Sequence, residues 1–208
     1  MKAIICAIAI LLSLSAAAAL AAESAATVQA DQNAETLATH VCSNCHGAGG
    51  DSRSPTFPRL AAQQAPYIVA QIKAFRANTR GEQEAHDYML GMVALFDDAT
   101  AEALGRYFAK QPEPAGTPGD PKLMAEGRRL FAQGANVQGI PACATCHGTD
   151  AHGNGIFPRL AGQHAPYVVK QLQAIQEQTR KSPVMHGIIK NLTPEQMNAV
   201  AVYLQSLS

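Results

Sequence analysis

Two short cysteine–histidine motifs are the residues of this chain best suited to chemistry. In each motif two cysteines stand two residues apart and a histidine follows directly: Cys42, Cys45 and His46 in CSNCHG, and Cys143, Cys146 and His147 in CATCHG. Such a pattern could hold a metal ion, form a disulfide or attach a haem of the c type. Any explanation must also account for its occurring twice.

Haem attachment explains both motifs best. Two thiols on one helical turn can each add to a vinyl group of the porphyrin, and the next histidine then lies beneath the iron as its proximal ligand. Zinc would need two more ligands in each copy. The spare histidines, which are His40, His86, His152, His164 and His186, are not paired between the copies. A thioredoxin-like site would follow a strand, and the sequence lacks strand patterns. The sequence therefore predicts two covalently bound haem c groups.

A methionine in each copy is expected to bind the far side of the iron. A thioether is a soft ligand that favours ferrous iron and raises the reduction potential. Met89 and Met185 occupy equivalent positions just before the last predicted helix of each copy. Met92 competes with Met89, and His186 is an alternative to Met185. The predicted iron ligands are thus His46 with Met89 and His147 with Met185, and because both axial positions are filled we predict no catalytic residue.

Two further pairs of residues are expected to support the haems. Pro58 and Pro158 follow the cysteine motifs at similar intervals. A carbonyl near such a turn could accept the other N–H of the proximal histidine and fix its orientation. Arg59 and Arg159 could pair with haem propionates.

The elements that position these residues occur as two copies of one unit. The stretch FPRLAAQQAPYIVAQI, which begins at Phe57, recurs as FPRLAGQHAPYVVKQL from Phe157. The cysteine motifs are 101 residues apart, these stretches 100 and the methionines 96, so the offset changes only in loops. We predict two domains, residues 23–111 and 120–208, joined by a Pro/Gly-rich linker over residues 112–119.

Each copy is expected to be helical. Ile68, Ile72 and Phe75 are spaced i, i+4 and i+7, as on one face of a helix, and TPEQ from Thr193 has the form of a capping box. The predicted fold class is all-α, with two tandem domains of a few short helices around one haem each. Because domains this small have a limited core, they often depend on a cofactor for stability.

The N-terminus indicates the compartment in which the protein functions. Residues 1–22 have a basic start, an apolar run and small residues ending in Ala-Leu-Ala, as in a secretory signal peptide, with a retained membrane anchor as the alternative. We therefore expect export.

The charges are unevenly distributed along the rest of the chain. Residues 22–114 hold 11 acidic and 7 basic residues, and residues 115–208 hold 5 acidic and 8 basic residues. A basic nucleic-acid footprint is absent, so no nucleic-acid partner is predicted.

The doubled order of C-x-x-C-H, FPRLA-x-Q-x-APY and a methionine before a terminal helix resembles the dihaem cytochrome c4 family. The resemblance covers essentially the whole chain after the signal peptide. It implies two class I cytochrome c domains with their haem edges close together. It also implies a periplasmic location, peripheral membrane association in some members, and electron transfer to terminal oxidases. The segment AHDYMLGMVALF, with its two methionines, departs from the pattern and leaves the first axial ligand open between Met89 and Met92.

Three functions are compatible with this pattern. The leading one is an electron carrier of a respiratory chain, with redox proteins such as a quinol–cytochrome c reductase complex and a terminal oxidase as partners. The cytochrome subunit of a flavocytochrome c sulfide dehydrogenase, which would have a flavoprotein partner, resembles the same duplicated design. A dihaem peroxidase would require one iron with an exchangeable sixth position.

Overall fold

A computed structural model describes residues 22–208 of the protein. The predicted signal peptide lies outside the described residues, apart from residue 22. Helices α1 to α10 span, in order, residues 22–37, Ser43–His46, Ala65–Arg76, Gly91–Val93, Asp98–Ala109, Pro121–Gln133, Ala144–His147, Ala165–Gln176, Pro183–Ile189 and Pro194–Gln205. Two π-helical turns cover Ala38–Cys42 and Ala85–Leu90, and two 3₁₀ turns cover Ala48–Gly50 and Asn136–Gln138. Over residues 22–208 only isolated β-bridges occur, so the predicted all-α fold is confirmed.

The helices repeat with the same offsets as the sequence. Helices α2 and α7 are 101 residues apart, α3 and α8 are 100 apart, and α5 and α10 are 96 apart, with equal lengths in each pair. These three helices therefore have the same local structure in both copies. The chain between α5 and α6, which contains the predicted linker 112–119, has no helix. None of the helices in residues 22–208 is both long enough and apolar enough to cross a membrane.

Side-chain caps fix where several helices begin. The Asp97 carboxylate accepts the N–H of Thr100 at the start of α5. At the start of α10, Thr193 and Gln196 form the capping box that the sequence predicts, with both reciprocal bonds present. Such caps satisfy N–H groups that the first helical turn leaves without partners, and each contributes about 1 kcal/mol.

Each domain has its own hydrophobic core. The first core is formed by buried side chains of α1, α3 and α5 with their neighbours, among them Ile68, Ile72, Val93, Leu104 and Phe108. The second is larger and includes Leu130, Phe131, Ile140, Leu172, Ile189, Met197 and Leu204. Two separate cores agree with a duplicated domain, because each copy buries its own apolar surface.

Helices α6 and α10 cross at Gly127, where the backbones come closest. A Cβ added at Gly127 would stand 2.1 Å from the carbonyl oxygen of Ala199 and 2.7 Å from the Cβ of Tyr203. The first of these obstacles is backbone, which cannot move aside as a flexible side chain can. Glycine at this position is therefore required by the close approach of the two helices.

A Gly127→Ala substitution is expected to destabilise the second domain by roughly 2 kcal/mol or more, because overpacking forces the two helices apart. Thermal or urea unfolding followed by circular dichroism measures this loss. Gly187→Ala in α9 is the matched control, since nothing lies within 4 Å of a Cβ at that position. The control should be neutral or slightly stabilising. Equal effects of the two substitutions would contradict the close crossing.

The two domains meet through reciprocal hydrogen bonds from the repeated FPRLA-x-Q stretch. The side chain of Gln63 bonds the N–H and the carbonyl of Arg159, at 2.7 and 3.0 Å. The side chain of Gln163 bonds the N–H and the carbonyl of Arg59, at 2.9 and 3.0 Å. Each domain thus offers the same groups to the other, as expected for an approximate two-fold arrangement of duplicated units.

Candidate haem-binding sites

The first cysteine motif lies in a continuous helical stretch. Cys42 is the last residue of the π-helical turn that follows α1, and Cys45 and His46 belong to α2. Cys42 is half-buried and Cys45 is exposed, and both thiols are free. The positive φ of Gly47, 77°, ends the helix directly after the histidine, as is common for glycine at this position.

The second motif has the same local structure but is preceded by a different kind of segment. Cys143 immediately precedes α7, which contains Cys146 and His147, and Gly148 ends the helix with a φ of 80°. A loop leads into it from α6, whereas the first motif is reached directly from α1. Burial raises the pKa of the Cys42 thiol, and it raises that of Cys143 to about 11. These two thiols are therefore protonated at neutral pH.

Both histidines are oriented by a backbone carbonyl, as the sequence predicts. The Nδ1–H of His46 donates to the carbonyl of Pro58 at 2.8 Å, and that of His147 donates to the carbonyl of Pro158 at 3.1 Å. A proline carbonyl can only accept, so Nδ1 carries the proton and Nε2 is left with its lone pair. The same tautomer in both domains presents Nε2 as the free ligand atom.

The second ring nitrogen of His46, Nε2, has an unusual environment. Nε2 of His46 is buried and has no hydrogen-bond partner. A buried polar atom without a partner normally costs about 1–3 kcal/mol, so such an atom needs an explanation. Burial lowers the pKa of His46 and of His147, which keeps both imidazoles neutral. A neutral, oriented imidazole with a free Nε2 is what iron ligation requires, and the residues present therefore fit a haem.

The candidate methionines differ in how far they are buried. Met89 lies in the π-helical turn Ala85–Leu90 and packs, together with Cys42, against the first core. Met92 is 49% exposed. Met185 lies in α9 and packs, together with Cys143, against the second core. Each domain therefore brings one cysteine of the motif and one methionine to the same core.

The alternative ligand His186 is engaged elsewhere through one nitrogen. Its Nδ1 donates to the carbonyl of Ile175 at 3.1 Å. Of the other spare histidines, His164 bonds the carbonyl of Ser52 across the domain interface at 2.9 Å. His152 lies beside Glu113 at 3.8 Å. These contacts explain three of the spare histidines without a metal ion.

The two arginines expected near propionates have unequal surroundings. Arg59 donates to the carbonyls of Ser52 and Gly162 and pairs with Asp51 at 3.2 Å. Arg159 is 5% exposed and pairs with Glu113 at 3.1 Å, but its Nε and Nη2 atoms are buried without partners. Arg159 thus keeps donors free for a carboxylate, whereas the donors of Arg59 are engaged within its own domain and by Gly162 of the other domain.

Sequence reasoning missed a set of polar residues between the domains. The set comprises Tyr67, Gln71, Gln171, Arg80 and Arg180. In the structure Gln71 and Gln171 each bond both Arg80 and Arg180, and Tyr67 accepts a bond from Arg180. The available signal was that polar residues recur at identical places in both copies, which suggests a shared role at a surface where the copies meet.

Comparison with known proteins agrees with the fold. The cytochrome c family model matches residues 32–111 and 124–208. Cytochrome c-552 of Acidithiobacillus ferridurans is 41% identical over 186 residues, which are 88% of this chain and 81% of the relative. The thiosulfate dehydrogenase electron acceptor of Thiomonas intermedia is 36% identical over 171 residues, 78% of this chain and 76% of the relative. The solved cytochrome c4 of Acidithiobacillus ferrooxidans is 41% identical with a TM-score of 0.76, over 80% of this chain and 98% of that chain.

These matches extend over both halves of the chain and have the same duplicated arrangement. Two cytochrome c domains indicate two covalently bound haem c groups, one in each domain. Proteins of this kind are electron carriers and not enzymes in their own right. The chain therefore belongs to the dihaem cytochrome c4 family.

Proposed function

We propose that this protein is a periplasmic cytochrome that carries electrons in a respiratory chain, with a terminal oxidase as its electron acceptor. The observation that carries the proposal is the pair of buried, neutral histidines, each oriented through Nδ1 by a proline carbonyl, with Nε2 of His46 buried and without a partner. When bound, each haem supplies reversible one-electron chemistry. The chain's own residues hold the two groups, set their surroundings and keep the domains together.

The proposed site residues are those that the sequence singled out. Cys42, Cys45 and His46 hold the first haem, with Met89 as the second axial ligand. Met89 is favoured over Met92 because it packs against the same core as Cys42, whereas Met92 is half exposed.

The second haem is held in the same way. Cys143, Cys146 and His147 attach it, with Met185 as the second axial ligand, because Met185 and Cys143 pack against one core. With both axial positions of each iron occupied by side chains, the chain offers no place for a substrate at the metal. This supports a carrier and argues against the peroxidase alternative.

The proposed partners are redox proteins outside the cytoplasm. A quinol–cytochrome c reductase complex is the proposed donor and a terminal oxidase the proposed acceptor, and the contact with a membrane is peripheral. The proposal of a periplasmic location rests on the signal-peptide pattern of residues 1–22 and on the family.

A second candidate function is the electron-accepting subunit of a sulfur-oxidising dehydrogenase. One enzyme of this kind is a flavocytochrome c sulfide dehydrogenase, in which a flavoprotein partner oxidises sulfide. The similarity to a thiosulfate dehydrogenase electron acceptor supports the broader possibility that a sulfur-oxidising enzyme is the donor. Such a role uses the same two haem sites and differs only in the protein that delivers the electron.

The experiment starts from protein produced in a cell that attaches haem c. The pyridine haemochrome assay should give two haems per chain. The reduced protein is then mixed with membranes that contain a terminal oxidase, with cyanide-inhibited membranes as the control. Rapid, cyanide-sensitive reoxidation supports the proposal. A colourless protein contradicts the haem sites, and a protein that membranes fail to oxidise but a sulfur dehydrogenase reduces favours the second function.

A further inference from the structure

Two arginines lie buried at the centre of the domain interface. Arg80 and Arg180 are equivalent residues of the two copies, and they face each other in an isolated antiparallel bridge. Next to the bridge, the N–H of Gly81 donates to the carbonyl of Thr179 at 2.8 Å. Arg80 is 7% exposed and Arg180 is 9% exposed. The interface therefore encloses two positive charges that water screens poorly.

Two glutamines share their side-chain oxygens between these arginines. Oε1 of Gln71 accepts from Arg80 at 3.0 Å and from Arg180 at 2.9 Å. Oε1 of Gln171 accepts from Arg80 at 2.8 Å and from Arg180 at 2.6 Å. Each arginine thus receives one bond from each glutamine, at similar distances. The glutamines by themselves would therefore leave the two halves of the interface electrostatically alike.

Glu82 breaks this equality. Its equivalent in the second copy is Ser182, which carries no charge. Oε1 of Glu82 accepts from Nε of Arg80 at 2.7 Å and also bonds Nη2 of the same guanidinium. Glu82 is 8% exposed, and its other oxygen is buried without a partner. Arg180, by contrast, bonds only neutral side chains, among them the hydroxyl of Tyr67 at 2.7 Å.

The carboxylate is connected to the first haem site through its own backbone. The carbonyl of Glu82 accepts the N–H groups of Ala85 and His86, at 3.0 and 3.3 Å, and so begins the turn that carries Met89. The partner of the carboxylate, Arg80, also stacks on Phe75, with 4.5 Å between the guanidinium carbon and the ring centroid. Phe75 and Met89 pack against the same first core.

The field of Glu82 reaches the second half of the interface more weakly. Burial acts to lower the pKa of the Arg180 guanidinium, but the net effect of its surroundings is a raised pKa. Tyr67 and Tyr167 contribute more to this increase than Glu82 does. Glu82 therefore compensates Arg80 directly and Arg180 only at a distance.

We propose that Glu82 makes the reduction potentials of the two haems unequal, by lowering the potential of the haem in the first domain relative to that in the second. The inference rests on the haem sites proposed above. A negative charge stabilises the oxidised, more positive iron, and the positive charge of Arg180, which has no carboxylate bonded to it, favours the reduced one. The excess of acidic residues in residues 22–114 and of basic residues in residues 115–208 acts in the same direction.

The consequence concerns where an electron resides in a singly reduced molecule. Moving it from the first domain to the second oxidises one ferrous iron to ferric and reduces the other from ferric to ferrous, with no proton or other atom transferred. Glu82 favours this direction, so the second domain holds the electron and is the one that delivers it to an acceptor. Glu82 acts here through its negative charge and not as a ligand of either iron.

The test compares the wild-type protein with Glu82→Gln, both with two haems bound. Optical redox titration resolves the two one-electron components, and NMR signals of the ligand methionine methyl groups, identified by their loss in Met89→Ala, assign each to a domain. We expect the first-domain potential to rise more than the second, and the ratio of the two singly reduced forms to change by a factor on the order of ten. Glu82→Asp, which keeps the charge, should retain most of the difference.

Two further variants separate charge from structure. Glu84→Gln removes a carboxylate that pairs with Lys170 across the same interface but lies more exposed, so it should move both potentials little. Ser182→Glu places a carboxylate at the equivalent position of the second copy and should lower the second-domain potential, which also decides the matter if Glu82→Gln fails to fold. Two intact haems with an unchanged difference in Glu82→Gln or Ser182→Glu would overturn the inference. Loss of haem from the wild-type protein would instead contradict the proposed sites.

Discussion

Replacing Met89 by alanine is expected to convert one of the two ferric haems from low spin to high spin and to lower its reduction potential. The thioether is the soft ligand that stabilises ferrous iron, and without it the sixth position is left to water or to nothing. Optical and electron paramagnetic resonance spectra of the oxidised protein would show the change in half of the haem. The other haem should keep its spectrum, because Met185 packs against a separate core.

Met92→Ala is the matched control for this substitution. Met92 lies three residues further along the chain and is 49% exposed, so its loss should leave both spectra unchanged. If Met92→Ala produced the high-spin haem and Met89→Ala did not, the first axial ligand would be Met92. In the second domain, Met185→Ala and His186→Ala form the corresponding pair, and only the first should change the spin state.

The residues proposed to bind the haems have signals that are local in the chain. The spacing of Cys143, Cys146 and His147 already implies a helical turn, and the proline carbonyl that orients each histidine lies 11 or 12 residues away. The choice between Met89 and Met92 rested in the sequence on the offset of 96 that Met89 shares with other equivalent positions of the two copies. Helical periodicity does not separate the two, because residues three apart lie on nearly the same face of a helix. The structure adds that Met89 packs against the first core whereas Met92 is 49% exposed.

The domain interface could not be predicted, for a different reason. The residues that matter there find their partners about 90 to 113 residues away in the other copy, so neither copy's own pattern shows the contact. Arg80 and Arg180 read as ordinary polar residues after a helix. The unequal pair Glu82 and Ser182 is visible in an alignment of the two copies, but its meaning depends on the burial that the interface creates.

A double substitution, Cys143→Ser with Cys146→Ser, is expected to reduce the covalently bound haem from two per chain to one. Without thioether bonds the second haem is held only by its axial ligands and is lost on denaturing electrophoresis. The second domain should also lose most of its cooperative stability. Cys143 and Met185 pack against its core, and a helical domain of this size depends on its cofactor. The haemochrome assay and circular dichroism on heating measure both effects.

The first domain should respond to this change only through the interface. Its own core, with Ile68 and Leu104, contains no residue of the second copy, so its haem and its fold should persist. What it loses is the rigid partner that bonds Arg59 through Gln163. The matched variant, Cys42→Ser with Cys45→Ser, should give the mirror result, with the second haem retained. If either double variant kept two covalent haems, the thiols of that motif would not be the attachment points. If either variant unfolded both domains together, the two cores would not be independent.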